Sequence, residues 1–542
     1  MSETSNTSWQ TPGQLYELIA QLVSFDSRSG TSGEIGFPHF IKEKLMDLSY
    51  FETHPDRLHL VDSEEDRHAL IAHYKADDTK DTVVLISHFD VVHTKEFGDL
   101  EEIAFDVEKL TEAMKERKDG FNATLKNDIE SGDYIFGRGV MDMKMGLALH
   151  MSLIELAFTE EWPLNIILVT VPDEEVNSDG MRAAVKFLSG LKDSENLDLK
   201  LILNSEPSFS QSPQDTSYYI YTGSIGKIMP SALFYGVGTH AGEPLQGITS
   251  HFMSSYLTKE MEFNADFSEE KFGERTPPPV CLQQNDLKKD YSTQTSHHAY
   301  ALYNVFTLER SPGEVMDIYR TVAERAMDEC WSDYSDLCRK LETEPLDKIH
   351  TITFHDLALH VINKHGRDRY DLISDSVFND STLNIREKAI KITDRLMDAA
   401  KELAPAAILF LAPSYYPAVN ASDDPELEKK IKYIQKIFKS EHDVDAKQIH
   451  YFNGISDLSY VNYTGSEAGW MSFMENMPVW GEPYTIPFKE MQNLKAPVLN
   501  VGPYGKDAHK MSERLHKDSA FIYTPDVLRK LMTSYIQQAP NN

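Results

Sequence analysis

Three apolar runs limit the folds open to this chain: residues 82–87 (TVVLIS), 164–171 (LNIILVTV) and 199–204 (LKLILN). The first, over Thr82–Ile86, is apolar on both alternating faces, which suits a strand covered on both sides, as in a parallel sheet packed between helices. Apolar residues at helical spacing, as in 13–24 (GQLYELIAQLVS) and 37–48 (FPHFIKEKLMDL), accompany them up to about residue 208, so the pattern is α/β. Each run stops directly before a cluster of potential ligands, where open parallel sheets place their binding crevice. The linear order therefore points to one site.

A chain of 542 residues exceeds one ordinary core, and two or more domains are expected. The texture changes after Pro207, and the first part of the first domain is assigned to residues 1–222. A small α+β module follows over 223–420, with a strand at 298–310, a helix from Pro312 to about Met327 and a returning apolar strand at 407–413. Inside it, 331–402 reads as a charged helical insertion. Residues 421–542 return to the first domain. Fifty-three basic against 86 acidic residues leave a net charge of −33, which excludes nucleic acid and anionic membranes as partners of most of the surface. The three cysteines, Cys281, Cys330 and Cys338, form no CxxC pattern and fit a reducing compartment. With a polar N-terminus and no run long enough to cross a bilayer, the reading is cytoplasmic.

Metal ligands, if present, must then be His, Asp and Glu. In SHFDVV, alternation sends His88 and Asp90 to one side, where the carboxylate can take one imidazole N–H and leave the other ring nitrogen for a metal. An isolated His-x-Asp also reads as a buried histidine satisfied by its neighbour. Asp142, in GRGVMDMK, taken alone reads as a helix cap. PDEE delivers Asp173, Glu174 and Glu175 to a strand mouth, or forms a solvated acidic turn. Glu206 ends another strand in NSEP. Far along the chain, His509 and Glu513 lie i and i+4 and share a face if that turn is helical. His516 competes with His509 as a ligand. One His, one Asp, two Glu and a distant His form the mixed nitrogen and oxygen set that a pair of zinc ions accepts.

The pieces SHFDVV, GRGVMDMK, PDEE, NSEP, GTHAGEPLQGI and GPYGKDAH, followed by Glu513, span nearly the whole chain. In that order they resemble the dizinc aminoacylase and carboxypeptidase family of clan MH. The length, the 331–402 insertion and the motif wording are most similar to members linked to arginine utilisation. The resemblance implies a mixed sheet flanked by helices, with an inserted lid and dimerisation domain. It implies two Zn2+, with Co2+ or Mn2+ as substitutes: one held by His88 and Glu206, the other by Glu175 and His509, with Asp142 bridging. Asp90 would orient His88, Glu174 would be the general base, and the peptide after Asp142 would be cis. In the lid, His240 would bind the developing oxyanion in the neighbouring subunit of a homodimer, and Arg310 would pair with a substrate carboxylate.

Some positions depart from the family pattern. His297, with His298 beside it, stands where several relatives carry an asparagine, and both become candidate substrate contacts. Met145 replaces a frequent glycine. The implied activity is hydrolysis of an amide bond in an N-acyl or N-carbamoyl amino acid or a small peptide. The competing readings are a dipeptidase or aminopeptidase, and a metal-stabilised regulatory protein without turnover.

Overall fold

The computed structural model describes residues 7–212, 215, 217–288, 290–481 and 483–536. The chain divides into two compact units: one comprises the chain up to Ser224, Val419–Tyr463 and the chain from Pro487, the other Ile225–Ala418 with Thr464–Ile486. Among the described residues no helix is long and apolar enough to cross a membrane.

The first unit is built on an eight-stranded mixed sheet. Its order is Leu58–Asp62, His68–Tyr74, Asn165–Val171, Asp81–His88, Asp198–Asn204, Val498–Asn500, Tyr218–Tyr221 and Ala446–Ile449. The apolar runs form its centre: Asp81–His88 pairs in parallel with Asn165–Val171 on one side and with Asp198–Asn204 on the other, and Val498–Asn500 continues the parallel set. Leu85 faces Leu168 and Leu203 in register, and all three are buried. Truncating such a leucine to alanine costs about 2–5 kcal/mol.

Helix Lys144–Thr159 is buried from Lys144 to Ala157, because it packs against the sheet, against helix Pro12–Ser24 and against helix Thr524–Ile536. This is why its sequence is apolar nearly all round. Helix Pro12–Ser24 starts at a capping box, with Thr11 and Gln14 satisfying each other's backbone N–H. Residues 218–221, just ahead of the boundary placed at 222, form a strand. The tyrosines there stack into a small aromatic core, with Tyr221 edge-on to Phe452 at 4.9 Å between centroids.

The second unit centres on a five-stranded sheet in the order Val280–Asp286, His298–Thr307, Gly226–Tyr235, Ala406–Tyr416, His350–Thr353. Three differences from the sequence reading stand out. The helix expected to end near Met327 runs from Pro312 to Lys340, so the expected insertion begins inside it; its buried stripe continues through Cys330, Tyr334 and Cys338. The insertion is not wholly helical: His350–Thr353 pairs in parallel with Ala406–Leu409 and completes the sheet. Residues 464–486, expected with the catalytic domain, belong to the second unit. Helix Glu467–Glu475 packs on Pro312–Lys340, and Leu411 N donates to Asn476 O at 2.8 Å.

Candidate metal centre

The central parallel strands end side by side, and their last residues bring the charged groups together. His88 closes its strand and is 1% exposed. Its Nδ1 lies 3.0 Å from the backbone carbonyl of Asp90 and 3.5 Å from Asp90 Oδ1, so the carbonyl, more than the carboxylate expected from sequence, fixes the ring. Its Nε2 faces Asp142 Oδ1 at 3.2 Å and Glu206 Oε1 at 3.6 Å. The other oxygen of Asp142 lies 3.0 Å from His509 Nε2, which also faces Glu175 Oε1 at 3.1 Å. The structure thus holds two ligand groups, His88–Asp142–Glu206 and Asp142–Glu175–His509, sharing Asp142. Asp142 does not cap the helix that follows, whose N-cap is Met143, and the Asp142–Met143 peptide is cis.

The turn bearing His509 is not helical, contrary to the i, i+4 reading. His509 has φ of 64° and sits in the loop between strands Gly505–Lys506 and Arg514–His516. Glu513 is buried against the loop that carries Asp142, where it accepts from Gly139 N at 2.8 Å. His516 lies outside both groups: its Nδ1 accepts from Ser519 N at 3.2 Å.

Asp90 uses its carboxylate on the backbone of the base loop. It accepts from Glu174 N at 3.1 Å, from Glu175 N at 3.3 Å and from Ser29 Oγ at 2.8 Å. Behind that loop, Arg67 donates to Asp173 at 2.9 Å and to Asp179 at 2.8 Å, while Glu34 accepts from Asp173 N at 2.9 Å. The peptide carrying Glu174 and Glu175 is therefore held from two sides.

Electrostatically the cluster calls for positive charge. Burial, reinforced by neighbouring carboxylates, lifts Glu174, Glu175 and Glu206 above the usual carboxylate range. Hydrogen bonds that His509 donates to Asp142 and Glu175 raise it to about 11. For His88 burial acts the other way, but its bonds to Asp142 and Asp90 win and raise it. Burial would also push Asp142 up, yet the two imidazoles hold it far below its ordinary value. Two imidazolium charges here do what cations in the same place would do. The residues fit divalent ions: nitrogen and carboxylate oxygen donors within 4.8 Å of one another in each group.

The lid candidates occupy different settings within the second unit. His240 is exposed and accepts from Gly242 N at 3.0 Å through Nδ1. His297 is exposed beside His298, whose Nδ1 lies 2.8 Å from Asp394 Oδ1. The guanidinium of Arg310 donates to Asp266 O at 3.0 Å.

Sequence reading missed Asp457, on the short turn Asp457–Tyr460 beside strand Asp81–His88. Burial raises its carboxyl to about 7, and its charge adds to the rise of Glu174 and Glu206. Nothing in GISDLSY separates this aspartate from a solvated one. Arg67 was missed for the same reason, in the acidic turn SEEDR.

Comparison with known proteins agrees with this geometry. The family model described as Peptidase family M20/M25/M40 matches residues 84–533, a span that contains every residue of the two ligand groups. YqjN of Bacillus subtilis (strain 168) is 36% identical over 538 residues, covering 98% of each chain. RocB of the same organism is 31% identical over 540 residues, covering 96% of this chain and 94% of its own. A metallo-carboxypeptidase of the M20 family from Sulfolobus solfataricus has the same fold at 11% identity, with a TM-score of 0.57 over 96% of this chain and 99% of that one. With this match along its length, the chain belongs to the peptidase family M20/M25/M40 and is a hydrolase of that family.

Proposed function

We propose that this chain hydrolyses the amide bond of an N-acyl or N-carbamoyl amino acid, or of a small peptide, using a pair of zinc ions. The resemblance to members linked to arginine utilisation supports a role in amino-acid catabolism. One observation carries the reading: two ligand groups share Asp142, and Glu174 lies beside both without belonging to either. A carboxylate left out of the ligand set is what a hydrolytic centre needs and a structural one does not.

His88 and Glu206 would hold one ion, Glu175 and His509 the other, and Asp142 both. The ions, when bound, supply Lewis acidity and bring the pKa of water from 15.7 down to about 7. Glu174 accepts the proton that the water gives up and passes it to the leaving amine. Asp90 fixes the backbone N–H of Glu174 and of Glu175 with one carboxylate, so base and ligand are set against each other by a common anchor. From the second unit, His240 would bind the developing oxyanion in a neighbouring subunit and Arg310 would pair with a free substrate carboxylate, while His297 and His298, which depart from the family pattern, are further candidate substrate contacts.

The test offers zinc-loaded protein a panel of N-acyl amino acids, N-carbamoyl amino acids and dipeptides, with product formation followed by mass spectrometry. Glu174→Gln should retain both ions and lose about 10²–10⁴-fold in turnover, as expected for a general base. A near-normal rate in this variant would remove Glu174 from the mechanism. Turnover restricted to substrates with a free α-amine would replace the deacylase reading by a peptidase one.

A further inference from the structure

We infer that Glu513 is a positioning residue that holds the shared ligand Asp142 and the loop ligand His509 in one register, working with Arg138. The inference rests on the metal reading above.

Asp142 lies on the turn between strand Tyr134–Phe136 and helix Lys144–Thr159, and His509 on the loop that leads into strand Arg514–His516. Those two strands pair antiparallel, with Arg514 opposite Phe136, so Glu513 enters the sheet beside the start of the Asp142 turn. One oxygen of Glu513 accepts from Gly139 N at 2.8 Å and from Met141 N at 3.4 Å. Its second oxygen accepts from Arg138, whose guanidinium also binds Glu96 and lies 5.2 Å from the centroid of the Phe97 ring. Glu513 and Arg138 are each 1% exposed. Gly139 has φ of 79°, and a Cβ there would meet Val91 at 2.7 Å, so the turn approaches its neighbours as closely as only glycine permits.

The His509 loop joins two short strands that pair antiparallel, Gly505 opposite Leu515 and Lys506 opposite Arg514. Asp507 and His509 both take positive φ, and the loop closes through Ser512 Oγ to Asp507 at 2.9 Å and Glu513 N to Lys510 O at 3.0 Å. Glu513 is the point where this loop is fastened to the Asp142 turn. A carboxylate at that point satisfies two backbone donors and a buried guanidinium together, which neither an amide nor a shorter acid reproduces in full. Partners that orient metal ligands in this way change metal affinity about 10–100-fold when removed.

The experiment titrates metal-free protein with Zn2+ under competition from a chelator, at a temperature where all variants are folded by circular dichroism. It then records the visible spectrum of each variant at saturating Co2+. Glu513→Ala should bind at least one of the two ions about 10–100-fold more weakly and show an altered Co2+ spectrum. Glu513→Gln keeps an oxygen for Gly139 N and Met141 N, and should recover part of that loss; it also serves if the alanine variant does not fold. Wild-type affinity for both ions and an unchanged Co2+ spectrum in the folded variant would make Glu513 a purely structural anchor and overturn the inference. Wild-type protein that takes up fewer than two ions would instead overturn the metal reading itself.

Discussion

The two halves of the metal centre are built by different means. His88 ends a central strand, is 1% exposed, and takes its ring orientation from the adjacent chain. His509 rides on a loop with a left-handed backbone, its side chain 48% exposed, and reaches the centre through Asp142 and Glu175. One half is a property of the sheet, and the other is held by side-chain fastening. A site of this kind tolerates changes in the second half that the first would transmit to the fold.

The largest effect is expected where the halves meet. Asp142→Ala should lose both ions and reduce turnover to background, because each ligand group is left with two donors. Retention of one tightly held ion, measured by elemental analysis, would show that the groups are independent and break the picture of a shared centre.

The next effect separates the halves. His88→Ala removes a buried partner of Asp142 and Glu206, and breaking a buried pair in this way costs about 3–5 kcal/mol. His509→Ala removes a half-exposed partner, for which a loss within about 1 kcal/mol is expected. Both should lose an ion. Urea melts of the metal-free variants decide the point, and equal destabilisation would erase the contrast.

The same contrast explains what sequence could show. The central strands and the placing of His88, Glu175 and Glu206 at their ends were legible because a buried strand fixes where its next residues emerge, whereas Asp142, which alone reads as a helix cap, entered only through the family resemblance. His509 was legible as a residue type in a motif, but its turn was read as helical, because spacing alone does not reveal a backbone at φ of 64°. Glu513 was seen only as His509's neighbour at i+4. Its contact with Gly139 spans most of the chain, and no local pattern encodes such a pairing. Asp457 and Arg67 were invisible for the same reason. In the second unit, strand His350–Thr353 is short and half-buried, so its alternation is too weak to stand out from the charged helices around it.

The pH dependence sharpens the comparison further. His509 rises from 6.5 to about 11 in the metal-free fold because of Asp142 and Glu175. Its charged pairing therefore stabilises that fold fully below about pH 6.5, and this contribution is lost as pH rises toward about 11. A divalent ion must displace the same proton, so its affinity should climb about tenfold per pH unit for each imidazole proton released in that window. His88 is raised as well, so the wild-type slope should exceed that of His509→Ala. Calorimetric titration in buffers of different ionisation enthalpy counts them directly. A slope that does not fall in His509→Ala would mean that the loop histidine is not exchanged for metal.

The smallest effect is expected at His516, the histidine that competes with His509 on sequence grounds. Its backbone N donates to Tyr504 O at 3.0 Å in the strand that follows the loop, and its ring packs edge-on against Tyr134 at 5.2 Å. Burial lowers its pKa, which keeps the ring neutral and leaves Nδ1 free to accept from Ser519 N. Replacing it by alanine removes one hydrogen bond, at about 0.5–1.5 kcal/mol, and the edge-on ring contacts with Tyr134 and, at 6.3 Å, Tyr504, each of about that size or less. His516→Ala should therefore melt slightly below wild type while keeping both ions and its slope with pH. Loss of an ion from this variant, with His509→Ala keeping two, would move the second half of the centre from the loop onto the strand.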